Sequence, residues 1–303
     1  MEIAIDVRDL VKVYRGGVRA NDGLTFQVLR GEVFGVLGPN GAGKTTLIRQ
    51  LTGQLRPTSG EIRVLGIDVV RRPQDVKPLI SVCPQETAVI EYLTVFEHLY
   101  YFARLRGLSR SEAVEEVHRV LELFGLREYR NRLVGNLSGG LKRRVIVAQA
   151  FLGHAEIVFL DEPTTGLDPA GRREVWSVIE GFRREGRTIV LTTHYMEEAE
   201  RLCTRVMLMN RGRAVMIGSP DSVRTRLGSY IKIRFPKSVG MEVLGISGGS
   251  IVVRDSGDWI ELVVPKSDRS LVKEIVSRLL DATEDIEISA PSLEDVFLEV
   301  VKG

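Results

Sequence analysis

The stretch EVFGVLGPNGAGKTTLIRQL, Glu32–Leu51, decides the fold. Glu32–Leu37 is a short apolar run closing on glycine, the pattern of a buried strand that feeds a loop. From Thr45 to Leu55 apolar residues recur at helical spacing. Between them, Gly38-Pro39-Asn40-Gly41-Ala42-Gly43-Lys44-Thr45 fits G-x-x-x-x-G-K-[ST], and the strand–loop–helix setting gives that pattern its meaning. Glycines let backbone N–H groups curl around phosphates without Cβ clashes. Lys44 can reach the β- and γ-phosphates as a mobile point charge, and the Thr45 hydroxyl can ligate Mg²⁺. A glycine-rich turn that binds nothing is the plain alternative, but it accounts for neither the lysine, the threonine nor the flanking elements. A polyphosphate ligand is expected.

Outward from this loop, Ile3–Val13 and Leu24–Val28 read as strands, Thr58–Gly66 as a hairpin arm and Ile80–Val82 as a buried strand. Thr94–Phe124 reads as two or more amphipathic helices broken at Gly107. Strands return at Glu156–Leu160, Thr188–Thr192 and Arg205–Asn210, with helices at Ala170–Arg184 and Glu197–Leu202. This alternation predicts an α/β core with a mostly parallel sheet, an antiparallel β part at the N-terminus and a helical insertion at about 89–151. The expected first domain spans 1–220, followed by a linker at 221–229 that includes a short helix, Asp221–Leu227. A small α+β domain over 230–303 then carries strands at Tyr230–Phe235, Ser250–Arg254, Trp259–Val264 and Asp285–Ser289, with helices at Arg269–Asp281 and Ser292–Val301. A ferredoxin-like arrangement is one form it could take.

IVFLDEP, Ile157–Pro163, is an apolar strand ending in two acids. Asp161 is suited to hold a Mg²⁺ shell, and Glu162, projecting another way, to polarise an attacking water. Paired acids at a strand end can also be merely solvated; beside a phosphate loop the chemical reading is preferred. Phosphoryl transfer asks mostly for positioning and charge neutralisation, which Lys44, Mg²⁺ and these acids can supply. A second stretch, GNLSGGLKRR over Gly135–Arg144, reads as another helix start with open N–H groups, a ready anion site with no ligand of its own. Lys142, Arg143 and Arg144 read as an exposed basic helix face, with phosphate sensing as the alternative.

Composition narrows the rest. The 303 residues carry a net charge of +2, which gives no general push toward nucleic acid or anionic lipid. Cys83 and Cys203 lie far apart, match no metal or disulfide spacing, and are expected to be buried or half-buried thiols in a reducing compartment. No apolar run approaches the roughly 18 residues that span a bilayer, and MEIAIDVRDL lacks a secretory pattern. The chain is therefore expected to be cytosolic, with any membrane role exercised through a partner.

Taken together, GPNGAGKT, the LSGG at Leu137–Gly140, the LDEP at Leu160–Pro163, the GLDP at Gly166–Pro169 and His194 in TTHYMEEA resemble the nucleotide-binding subunit of an ABC transporter, in the family's order. The resemblance covers about residues 1–220 and implies ATP and Mg²⁺ as ligands and ATP hydrolysis as the activity. It implies that Gly38–Thr45 and Thr46 contact the nucleotide and that Tyr14 stacks on adenine; packing against the sheet is the other option for Tyr14. It implies that Gln85 touches Mg²⁺ or water, so that Thr45, Gln85 and Asp161 form the metal set. His194 would contact the γ-phosphate and orient the water. Ser138, Gly139 and Gly140 would cap the γ-phosphate held by a second ATPase subunit, and Asp168 would pass the state of one site to the other. One departure stands out: the family's signature often continues LSGGQ, whereas Leu141 follows Gly140 here.

PSLEDVFLEVVKG, Pro291–Gly303, and LTVFEHLYYFARLRGL are similar to ATPases serving drug, antibiotic, lipid and similar exporters. The resemblance thus implies a transmembrane permease as partner, a homodimer or related chain as second partner, and a peripheral place on the inner face of the cell membrane. The alternative is a non-transport ABC ATPase of translation or DNA repair. Those usually show tandem cassettes, coiled-coil arms or zinc-binding cysteines, none of which is in this sequence.

Overall fold

In the computed structural model, which describes residues 2–86, 88–226, 230–244, 251–265, 267–290 and 292–302, the chain divides into two units, Met1–Ser219 and Pro220–Gly303. The first unit runs β1 (Ile3–Val13), β2 (Arg19–Leu29), β3 (Val33–Leu37), α1 (Lys44–Leu51), β4 (Ser59–Val64), β5 (Ile67–Asp68), α2 (Pro73–Val76) and β6 (Ile80–Cys83). Then come α3 (Val95–Leu105), α4 (Arg110–Leu123) and α5 (Gly139–Ala150). The unit closes with β7 (Ile157–Asp161), α6 (Pro169–Arg184), β8 (Thr188–Thr193), α7 (Met196–Leu202), β9 (Arg205–Asn210) and β10 (Arg213–Gly218).

Every residue of β3, β7 and β8 is buried. Strands that are apolar on both faces need a sheet covered on both sides. They lie in a sheet of order β10-β9-β3-β8-β7-β6, parallel from β9 to β6 with β10 antiparallel at the edge. The register sets Leu37 beside Thr193, Asp161 beside Thr192 and Cys83 beside Leu160. The loops that follow β3, β6, β7 and β8 therefore leave one edge together, the carboxyl end where open α/β sheets bind ligands. Burial pushes the Cys83 thiol up to about 11 and Cys203 well above the ordinary thiol range, so both are inert packing residues.

A second, antiparallel sheet, β2-β1-β4-β5, shares a core with the first. Phe26 of β2 stacks on Phe34 of β3 at 5.5 Å between ring centroids. Helices α3, α4 and α5 stand between β6 and β7. Thr94 with Glu97 and Ser109 with Glu112 form capping boxes that start α3 and α4, and Gly107 at φ +90° makes the break between them. Two local expectations differ. Helix α1 stops at Leu51, four residues early, where Gly53 takes φ +71°. Strand β10, absent from the sequence reading, pairs with β9 through Arg211 and Gly212, both at positive φ as a two-residue hairpin turn requires.

The second unit comprises α8 (Pro220–Arg226), β11 (Tyr230–Pro236), β12 (Val252–Ser256), β13 (Trp259–Pro265), α9 (Arg269–Ala282), β14 (Glu287–Ser289) and α10 (Leu293–Lys302). Its antiparallel sheet has the order β12-β13-β11-β14. That is the ferredoxin-like strand order, but the first crossover holds short 3₁₀ turns, Lys237–Val239 and Met241–Leu244, among its described residues. Ile233, Phe235, Leu262 and Val264 pack with Ile275 and Leu279 of α9. Two further charges sit on alternate positions of the strands. Lys232 contacts Glu261 at 2.9 Å and Asp295 of α10 at 3.1 Å, and Arg254 reaches Asp295 at 2.8 Å. Expectations that touch Leu227, Gly228, Ser229, Ser250 and Pro291 lie outside the described residues. Among those described, no helix is long and apolar enough to cross a membrane.

Candidate active site

Two close approaches explain the glycines around the loop after β3. A Cβ on Gly38 would stand 2.5 Å from Met209 O, and one on Gly43, at φ +102°, 2.1 Å from Ala20 O. No side chain fits either place. Gly41, at φ +81°, faces open space instead, which leaves the loop's concave side free for a ligand. Lys44, only 5% exposed, donates to Gly38 O at 2.9 Å and Pro39 O at 3.3 Å, and its ammonium lies 3.5 Å from Glu162 Oε1. A buried ammonium needs such partners, and it remains aimed into the space above the loop. That space is a cavity of about 250 Å³ bounded by Asn40, Gly41, Lys44, Thr45, Thr46, Gln85 and Glu162 among others.

The two acids at the end of β7 behave differently. The Asp161 carboxylate accepts from Thr192 Oγ1 at 2.5 Å on the neighbouring strand. Glu162 takes φ +50°, a left-handed conformation that costs a non-glycine residue energy. Its N–H is held there by Thr192 O at 3.1 Å and Thr192 Oγ1 at 3.0 Å. The turn throws the Glu162 side chain toward Lys44 and away from Asp161. Glu162 Oε2 accepts from Thr165 Oγ1 at 3.1 Å and lies 3.4 Å from His194 Nδ1. That nitrogen is buried with no aligned hydrogen-bond partner among the described residues. Thr45 Oγ1 meets Gln85 Oε1 at 3.4 Å, and both line a space of about 100 Å³ with Asp161.

The remaining expected residues lie elsewhere. Tyr14 is 38% exposed, with its hydroxyl 3.3 Å from Thr46 Oγ1 and the Lys12 ammonium 5.6 Å from its ring centroid, so it stands beside the loop with its ring partly open. Ser138 caps α5, accepting from Leu141 N–H at 3.3 Å; Gly139 and Gly140 are open to solvent on that side. Asp168 caps α6, accepting from Gly171 N–H at 2.9 Å. Ser138, Gly140 and Asp168 line a different and larger cavity, about 730 Å³, which no residue of the phosphate loop touches. Within one chain the structure thus gathers Lys44, Thr45, Thr46, Gln85, Asp161, Glu162 and His194, and does not bring Ser138, Gly139, Gly140 or Asp168 to them.

One expectation is corrected. The run Lys142–Arg144 is no exposed basic face. Arg143 is 3% exposed, its guanidinium enclosed by backbone carbonyls, while Lys142 pairs with Glu91 at 3.4 Å and Arg144 with Glu174 at 2.5 Å. The signal was present: Arg143, Ile146, Val147 and Ala150 stand at i, i+3, i+4 and i+7, a stripe whose other members are all buried. Thr192 and Glu198 were also missed. Glu198 Oε1 accepts from Thr164 Oγ1 and Trp176 Nε1, both at 2.9 Å, and burial raises its carboxyl above the usual range.

With this geometry in place, the chain was compared with known proteins. A family profile described as ABC transporter matches residues 21–165. The daunorubicin/doxorubicin resistance ATP-binding protein DrrA of Streptomyces peucetius is 37% identical over 97% of this chain and 91% of its own length. ATP-binding cassette sub-family A member 7 of Mus musculus is also 37% identical over 96% of this chain, which spans only 14% of that protein's length. Among solved structures, one described as the ATP binding subunit of an ABC transporter superposes with a TM-score of 0.68. It shares 30% identity and covers 74% of this chain and 93% of its own.

Proposed function

The chain belongs to the ABC transporter family as an ATP-binding, ATP-hydrolysing subunit, and on that premise we propose that it drives an exporter whose pore is a separate membrane protein. The observation that carries the reading is the meeting of four loops at one sheet edge. Lys44 stands 3.5 Å from Glu162, Glu162 3.4 Å from His194, and Thr45 3.4 Å from Gln85. The loop from Gly38 to Thr45 binds the phosphates through its N–H groups, and Lys44 neutralises charge on the β- and γ-phosphates. Tyr14, fixed by Thr46, stacks its open ring on the adenine. Glu162 takes the proton of the attacking water, and His194 orients that water against the γ-phosphate.

Oxygen donors from Thr45, Gln85 and Asp161 suit a hard cation, and among the described residues no group of three or more His, Cys, Asp and Glu forms a full cage. Such a partial set fits Mg²⁺, which completes its shell from substrate phosphates and water and supplies charge neutralisation at the transferred group. Ser138, Gly139, Gly140 and Asp168 serve the nucleotide of a second ATPase subunit, homomeric or related, which is why their cavity lies apart from the phosphate loop. The likeness to a drug-resistance ATP-binding protein over nearly its full length supports export of a drug-like solute through a permease, with this subunit seated on the permease's cytoplasmic side.

The test is Glu162→Gln in the full chain. Phosphate release is expected to fall by about a thousandfold, while ATP binding by calorimetry persists and an ATP-dependent dimer elutes from size-exclusion chromatography. Hydrolysis within about threefold of the parent would remove Glu162 as the base.

A further inference from the structure

Arg143 satisfies an unusual condition. A guanidinium has five N–H donors in a planar fork, and here five different backbone carbonyls accept from it. Nε donates to Pro163 O at 3.1 Å. Nη1 donates to Pro84 O at 2.7 Å and Gln85 O at 3.0 Å. Nη2 donates to Asp161 O at 2.8 Å and Glu162 O at 2.7 Å. The side chain is 3% exposed, so its five donors have little water to turn to and depend on these carbonyls.

The carbonyls belong to two segments, the loop after β6 and the turn after β7. Their side chains are those that face the ligand space: Gln85 toward Thr45, Asp161 toward the metal set, Glu162 toward Lys44 and His194. The guanidinium grips these residues from behind. It is itself carried on α5, five residues from Ser138, the start of the half-site that serves the other subunit. Rigid helix, planar fork and fully used donors leave little slack, because moving Pro84 and Gln85 must either break two hydrogen bonds or pull α5 and the acids along.

We infer that Arg143 is a positioning residue that couples the Gln85 loop to the Asp161–Glu162 pair and both to the helix begun by Ser138. The inference deepens the ATPase reading above and rests on it. It assigns Arg143 no contact with nucleotide or water. Displacing the Gln85 loop would thereby shift the acids and the helix begun by Ser138. Lysine could not substitute, since an ammonium brings three donors without the planar spread.

Arg143→Lys in the full chain tests this, with folding verified by circular dichroism. ATP affinity by calorimetry and KM are expected within about threefold of the parent, and kcat is expected to fall about ten- to hundredfold, as misplacement rather than lost binding dictates. A purely structural role would lower thermal stability and leave kcat within about twofold, which overturns the inference. Hydrogen exchange supplies the readout that stability alone does not move. On addition of a non-hydrolysable ATP analogue, amides near 84–86, 161–165 and 139–143 in the parent chain should gain protection together, and in Arg143→Lys they should respond separately. The parent measurement stands even should the variant not fold: protection of one segment without the others overturns the coupling. If the parent binds ATP but does not hydrolyse it, the ATPase reading fails, whereas the exchange pattern still decides the coupling.

Discussion

Helices α1 and α5 both open at glycines, and both present N-terminal amides and the positive end of a helix dipole. Their surroundings differ. At α1, Gly43 is pressed against Ala20, Lys44 is buried, and the loop encloses about 250 Å³ with acids and a glutamine across from it. At α5, Ser138 uses its own oxygen to cap Leu141 N–H, and Gly139 has nothing within 4 Å of the place a Cβ would take. No lysine reaches over this second start from the phosphate loop. The first opening is a finished cradle. The second borders a broader cavity of about 730 Å³ that no residue of the phosphate loop lines, and in the proposed reading it becomes a site only when another molecule brings a phosphate to it.

Lys44→Ala strikes the finished cradle and carries the largest expected effect of the substitutions that contrast the two openings. It removes the one buried cation aimed into the cavity and leaves Glu162 without its nearest positive charge, 3.5 Å away. ATP affinity by calorimetry should fall by about a hundredfold or more. Unchanged affinity would break the comparison at its stronger side. Ser138→Arg comes next. On the proposal that this face serves a nucleotide held elsewhere, a bulky cation there should leave ATP binding by the same chain within about threefold while hydrolysis drops about thirtyfold. Equal loss of binding and hydrolysis would show that α5 serves its own chain. Mixing Lys44→Ala with Ser138→Arg chains sharpens the contrast further. One of the two composite sites regains both intact parts, so some hydrolysis above either variant alone is expected.

The finished cradle was legible in the sequence because its chemistry is local. Gly38 to Thr45 carries its own spacing, and the strand before it and helix after it follow from apolar patterning alone. The caps of α3 and α4 are equally local, Thr94 and Ser109 each standing three residues before a glutamate, but the sequence reading did not use them. What escaped depends on register between distant segments. Thr192 holds Asp161 and Glu162 only because β7 and β8 pair with Asp161 beside Thr192. Arg143 was misread because three consecutive basic residues suggest solvent, while the helical stripe it shares with Ile146 and Val147 places it inside. The outer strand β10 was missed although Ala214–Ile217 are apolar; it is an edge strand with no buried residue, joined to β9 by a two-residue turn. In the second unit the ferredoxin-like strand order was read only as one option, since alternation shows faces and not neighbours.

The smallest effect belongs to the residue where the open face departs from the family's usual form. Leu141 is half-buried, and its N–H already caps the helix through Ser138, so a change of side chain leaves the backbone donors of α5 in place. Leu141→Gln adds one polar group to the lining of the cavity beside that face. A single solvent-accessible hydrogen bond contributes little net free energy, because water held the same donor before. The ATP concentration that half-saturates dimer formation by size-exclusion chromatography should therefore fall by only about threefold, with kcat within about twofold. A tenfold or larger fall would mean that the open face is the weak grip of the whole assembly. No change at all would mean that Ser138 and the two glycines supply what the opposite phosphate needs, and that position 141 is free to be apolar.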